Sequence, residues 1–251
     1  TNYANALAGT AISLTSAPGS DETQKYNFTK HSSNPALAFR DYLTNTQYGL
    51  NAGTSEINDT NFTSVANTCD ESVSLDSGTE SRFTINGTFQ VSQTPKLILQ
   101  NMLSTIGGNL VYSNGQFKLA PAVYQTPSLT LDEGNLRSGL TVNTRVSKKE
   151  LFNAVKGVYS EPANLYQPTD YPILTNSSFE SEDNSERIYA DFDFPMTTSS
   201  KTCQRLAKIQ LLKARQQITV VATFDLNAFE LNIGDTVQIT NSRFGFSAKT
   251  F

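Results

Sequence analysis

The sequence predicts an α+β, β-rich chain in two parts: an α+β domain, then a β-barrel or sandwich-like domain carrying one long helix. Three observations lead there. A helical repeat in residues 197–217 runs directly into two stretches of alternating residues. Capped helices at three earlier places are interleaved with short alternating strands. Charged residues make up only 17% of the 251, while Asn, Thr and Ser abound, a composition suited to turns and half-exposed strands.

Residues 1–24 are polar and carry no assignment beyond a short strand at 11–14. An alternating strand is expected at 25–31, with Tyr26 and Phe28 on one side. Asn34 then offers a side-chain oxygen to the free N–H groups of a first helical turn, and Pro35 suits the first helical position because its missing N–H would be unpaired there. A second helix is expected over 61–73, with Phe62, Val65, Ala66, Cys69 and Val73 on one face. Residues 82–91 alternate and read as a strand broken at Asn86-Gly87. Thr94-Pro95 opens a third helix, which Gly107-Gly108 ends. A hairpin then pairs 109–112 with 116–121 around Asn114-Gly115, the dipeptide favoured in tight hairpin turns.

These elements make 25–125 one domain and 126–251 a second, β-rich one. The second begins with a linker-like crossing at 129–134 and has expected strands at 139–147, 154–160 and 188–194. Between the last two, 161–187 reads as a long irregular excursion with Pro162, Pro168 and Pro172, a kind of loop that tends to contact something. The long helix, near 200–216, has Ser199 or Ser200 as cap. It places Cys203, Leu206, Ala207, Leu211 and Ala214 on one face, with Lys201, Arg205, Lys208 and Arg215 opposite, a basic face open to solvent or to an acidic partner. Strands follow at 218–224 and, after the Gly234-Asp235 turn, at 236–240. The strand-like 247–251 and the start at Thr1 suggest a fragment of a longer polypeptide.

A net charge of −4 argues against a dedicated nucleic-acid surface, which needs clustered positive charge. No apolar run reaches the ~18 residues of a membrane span, and no basic-then-apolar leader opens the chain. His31 is the only histidine, so a Ser-His-Asp or Cys-His arrangement would have to use it, and one His with two distant Cys is a poor zinc set. Cys69 and Cys203 lack CxxC spacing and read as two free buried thiols, with a disulfide between them the alternative. Carboxylates are the remaining route to chemistry. Asp191 and Asp193 share one side of a strand, and with Glu180, Glu182 and Asp183 they could hold a Ca²⁺ or act as a hydrolase pair. The first lacks EF-hand spacing and the second needs a carboxyl separation of ~5 to 9.5 Å that sequence does not display, so no catalytic, cofactor-binding or metal-binding residue is assigned. The aromatics Tyr159, Tyr166, Tyr171, Phe179, Tyr189, Phe192 and Phe194 would suit a carbohydrate platform or, more plainly, a core.

One ordered series of short motifs adds to this: Asn34-Pro35-Ala36-Leu37, Tyr42-Leu43, Tyr48-Gly49-Leu50, Leu151-Phe152-Asn153, Gln167-Pro168-Thr169-Asp170, Glu186-Arg187-Ile188, Asp193-Phe194-Pro195, Gln204-Arg205-Leu206-Ala207 and Gly234-Asp235-Thr236-Val237. Together they resemble the tail-tip or baseplate hub proteins of long-tailed bacteriophages, the host-specificity (tip attachment) protein J-like family with its prophage and gene-transfer-agent relatives. The resemblance runs from about residue 25 to the C-terminus. It implies a structural, non-enzymatic virion component: a homotrimer on the tail axis, joining the distal tail and tape-measure proteins to the central fibre or receptor-binding proteins. It further implies a place at the tail tip of the virion, in the host bacterial cytoplasm during assembly, and a part in host attachment and genome delivery. The rivals are a tail-associated cell-envelope glycosidase or peptidase using those carboxylates, and a secreted carbohydrate-binding β-protein.

Overall fold

The computed structural model describes residues 32–147 and 150–251; His31 and the strand expected at 25–31 lie outside them, as does the short strand at 11–14. In chain order the helices are α1 (Pro35–Thr44), α2 (Asp59–Cys69), α3 (Pro95–Ser104), α4 (Ser177–Glu182) and α5 (Ser200–Arg215). The first eight strands are β1 (Ser72–Ser74), β2 (Thr79–Ser81), β3 (Asn109–Ser113), β4 (Gln116–Ala120), β5 (Leu129–Leu131), β6 (Thr141–Asn143), β7 (Ala154–Lys156) and β8 (Val158–Glu161). The others are β9 (Gln167–Asp170), β10 (Leu174–Thr175), β11 (Tyr189–Asp191), β12 (Thr219–Val221), β13 (Val237–Asn241) and β14 (Phe246–Thr250). The fold is mixed α+β and sheet-rich. Every sheet among the described residues has two or three strands, so the expected barrel does not close.

The chain groups into two compact units. One holds the described residues up to Pro121 together with Gly157–Pro172 and Phe192–Leu206; the other holds Ala122–Lys156, Ile173–Asp191 and Ala207–Phe251.

In the first unit the Asn34 side chain accepts from Ala36 N–H, as a cap should, and its amide donates to Ala66 O at 2.8 Å and to Asp70 Oδ1 at 3.0 Å, tying α1 to α2. The apolar faces of both helices are fully buried at Ala36, Phe39, Leu43, Phe62 and Ala66. Asn61 docks α2 on the β3–β4 hairpin by acting as a strand residue would: its side chain accepts from Leu119 N–H at 2.7 Å and donates to Leu119 O at 3.1 Å. The hairpin turns at Asn114 and Gly115, both at positive φ, as its dipeptide predicts.

Three expectations need correction here. Helix α2 stops at Cys69, and Val73 belongs to β1, paired with β2. Residues 82–91 form no strand: Arg82, Phe83, Ile85 and Asn86 send their N–H groups to Glu71 O, Cys69 O, Ser33 O and Met196 O in turn. Four single bonds to scattered partners build no ladder. The strand expected at 154–160 breaks at Gly157, whose φ is +153° and where a Cβ would lie 2.0 Å from Phe192 O. Only a residue without a side chain permits that approach.

The 161–187 stretch, expected to be irregular, is largely structured. Its first part forms β9, antiparallel to β8, and its prolines hold positions where no ladder N–H is required: Pro162 opens a short 3-10 turn, and Pro168 sits in β9, which among the described residues pairs with β8 alone.

In the second unit β7 is the centre of a three-stranded sheet, antiparallel to β10 and parallel to β11. Asn176 caps α4 by accepting from Ser178 and Phe179 N–H. A second sheet has β13 between β5, parallel, and β14, antiparallel. The crossing expected at 129–134 therefore supplies a strand, and the C-terminal residues supply another. Strand β6 covers only part of the expected 139–147 and pairs with β12. Among the described residues no helix is long and apolar enough to cross a membrane.

Candidate interaction site

The acidic residues singled out by sequence are engaged internally. Glu180 pairs with Arg187 at 2.8 Å, and Asp191 lies 3.6 Å from Lys156. The Asp193 carboxylate accepts from Val158 N–H at 3.0 Å, next to the Gly157 break. Asp183 receives both guanidinium amines of Arg215, whose Nε donates to Phe152 O and whose guanidinium lies 4.9 Å from the Phe179 ring centre. Glu182 stands 3.9 Å from the same arginine and is mostly exposed. Fully buried Asn153 completes the cluster, donating to Asp183 Oδ2 at 2.8 Å and Glu186 O at 2.7 Å while accepting from Ile188 N–H. Sequence reasoning quoted Asn153 within the Leu151-Phe152-Asn153 motif but gave it no part in this cluster, because its partners lie some 30 residues away in sequence. Among the described residues no group of three or more His, Cys, Asp or Glu is arranged to hold a metal.

The basic face expected on α5 is only half solvated. Lys201 and Lys208 are exposed, but Arg205 pairs with Glu80 on β2 and donates to Arg82 O at 2.9 Å. Glu80 also accepts from Ser199 and Thr202 hydroxyls at 2.8 and 3.2 Å, which places a carboxylate at the amino end of α5, where the helix dipole favours negative charge. Burial pushes the Glu80 carboxyl up, but the Arg205 and Ser199 bonds and the Arg205 charge outweigh it, and the net displacement is downward. Cys69 and Cys203 are free and buried, and burial pushes both thiols up to about 12.

Of the aromatics, Tyr159, Tyr171 and Phe194 are core residues of the first unit, with Tyr171 OH donating to Phe192 O. They form no exposed platform. Tyr166 and, in the second unit, Tyr189 are exposed, and the β8–β9 hairpin tip that carries Tyr166 is unusual. Leu165 and Tyr166 are consecutive left-handed residues, at φ of 52° and 59°, a geometry that costs of order 1–3 kcal/mol per side-chain-bearing residue. Both point into solvent, 82% and 65% exposed. The first unit also has an open groove of about 620 Å³, lined by Tyr42, Tyr48, Phe89, Val91, Met102 and Met196 with Asp41 and Asn86 among the polar residues. Tyr42 and Phe89 meet edge to face at 5.5 Å. Tyr48 OH donates to Asp41, and that bond, with burial second, pushes the phenol up to about 12. In the second unit a short loop leaves Leu226, Phe229 and Ile233 exposed by 85%, 84% and 73%. Each of these surfaces carries large apolar side chains that the described residues of its unit leave open.

Residues 94–249 match the Phage-tail_3 family model, which describes phage tail proteins. The chain belongs to this phage tail protein family. The Leu165–Tyr166 tip and the 226–233 loop lie inside the matched region, whereas Asp41, Tyr42, Tyr48 and Phe89 precede it. In solved structures, the tail protein superposes on a chain from the virion of a native gene transfer agent particle with a TM-score of 0.57 at 16% identity, covering 92% of this chain and 48% of that one. It thus shares that fold and spans about half that chain's length. Two further matches are a 43 kDa tail protein of prophage MuSo2 from Shewanella oneidensis (TM-score 0.38, 15% identity, 64% of this chain and 47% of that one) and prophage tail protein gp18 from Listeria monocytogenes EGD-e (0.35, 15%, 69% and 49%). At those scores neither bears on the fold. No curated protein matches the sequence.

Proposed function

We propose that this tail protein is a structural component of the tail-tip or baseplate hub, a homotrimer on the tail axis. In that role it links the tail tube and tape-measure protein to the central fibre or receptor-binding proteins, and takes part in host attachment and genome delivery. It resides at the tail tip of the virion and passes through the host bacterial cytoplasm during assembly. Residues 25–125 and 126–251 are its two hub domains.

The observation that carries this reading is the superposition of 92% of the chain on a virion component of a gene transfer agent, in a chain whose family is phage tail proteins. The local chemistry agrees with it. The carboxylates a hydrolase would use are held by Arg187, Arg215, Lys156 and a backbone amide, while large apolar side chains stand in solvent, as surfaces awaiting permanent partners do. Reconstruction of the intact particle by electron microscopy tests the proposal. Three copies around the axis at the distal end of the tail are expected; copies distributed along the tube, or in a ring of another order, would reject it.

A further inference from the structure

We propose that the Leu165–Tyr166 tip of one copy seats in the aromatic groove of a second copy, with the Tyr166 hydroxyl donating to Asp41. The inference deepens the homotrimer reading and rests on the self-association it assumes.

The knob and the groove belong to the same compact unit, and in the chain alone the tip does not fill the groove, since Leu165 and Tyr166 are both mostly exposed. The tip is built to hold its shape. Tyr166 N–H donates to Glu161 O at 2.8 Å, the Glu161 carboxylate accepts from Ala163 N–H, and Asn164 Nδ2 donates to Thr169 Oγ1. A segment locked in this way loses little freedom on docking.

The groove's chemistry selects such an occupant. Its walls are mostly apolar, with three aromatic rings and two thioethers, and among the described residues the Asp41 carboxylate accepts one hydrogen bond, from Tyr48, and has no ion pair. An ionised carboxylate has room for about four hydrogen bonds, so the best-fitting guest has an apolar body and a donor at its end. A tyrosine has both.

A knob on one part of a surface and its socket on another give a head-to-tail contact, which closes into a ring when the rotation allows. A tyrosine buries about 150–250 Å², well short of the ~800 Å² per partner of a stable interface. This contact therefore sets register within a wider interface.

Cross-linking between two variants of the full chain tests it. Val91, in the groove wall, and Leu165 are both exposed, so V91C and L165C leave the core intact, and the native thiols are buried. Mixed under mild oxidation, the two variants are expected to give a mixed disulfide dimer several-fold faster than either alone, and D41A or Y166F in the same background should slow it several-fold. A mixture no faster than the single variants overturns the inference, as does a doubly substituted chain that closes on itself. Sedimentation of the unsubstituted chain separates the two ideas: self-association without the mixed disulfide rejects only this contact, and a lone chain that forms no disulfide rejects the homotrimer as well.

Discussion

At the residue scale the chain's charged groups act mainly as fasteners, and Glu80 shows how. Its carboxyl is displaced downward, so its contribution to stability is fully present above the ordinary carboxylate range and fades as pH falls through the lowered value. Glu80→Ala should cost about 1–3 kcal/mol near neutrality, where it strands the partly buried Arg205. That deficit should shrink between neutrality and a pH below the lowered value, as the wild-type carboxyl takes up its proton. Urea melts of both proteins at the two pH values check this, and a deficit that does not change with pH would contradict it. Thr197 gives the opposite case. Its hydroxyl is buried without a hydrogen-bond partner among the described residues, so Thr197→Val should leave stability unchanged or raise it by about 1 kcal/mol; a loss on thermal melting would show the hydroxyl to be satisfied. The raised Cys69 and Cys203 thiols should react with a thiol reagent only when the chain unfolds, since the thiolate is the reacting species.

At the scale of elements, the Asp183–Arg215–Asn153 cluster fastens α4 and the residues before β11 to the end of the long helix. Arg215 is almost wholly buried, so Asp183→Ala leaves an uncompensated charge inside and should cost about 3–5 kcal/mol. Hydrogen exchange should then quicken first over 176–188; exchange spread evenly through the chain would assign the loss to a global cause. What sequence could and could not show follows from the same contrast. Helices α1, α3 and α5 were legible because caps, prolines and a 3.6-residue repeat are local properties, and the Asn114-Gly115 hairpin was legible for the same reason. The path of 82–91 and the break at Gly157 were not, since each depends on a backbone group far along the chain, Met196 O and Phe192 O; the pairing of β9 with β8 is local, but Pro162 and Pro168 made that stretch read as irregular. The carboxylates at 180–193 were visible as a set, but their ion-pair and hydrogen-bond partners were not. The tip and the groove were hidden too, as neither strained φ angles nor an empty concavity leaves a mark on composition.

At the scale of the whole molecule, the question is why a chain of modest charge keeps large apolar side chains in water. Leu226, Phe229 and Ile233 are each more than two-thirds exposed, so they add little to the stability of the chain that carries them. Exposed apolar groups concentrated in one short loop are a hazard for a free protein and an asset for an assembled one. Membership of a phage tail family supplies the setting in which the second holds. Replacing all three by asparagine should shift the unfolding free energy by no more than about 0.5 kcal/mol, as surface changes do, while sharply reducing recovery of the protein in purified particles when the variant complements a tail-protein deletion. Measuring both quantities on one variant separates folding from assembly. If the triple variant melts like the parent and enters particles at the parent's yield, the loop is ordinary surface. If it melts several degrees lower, the three side chains are buried in the chain in solution, and the exposure on which the argument stands is wrong.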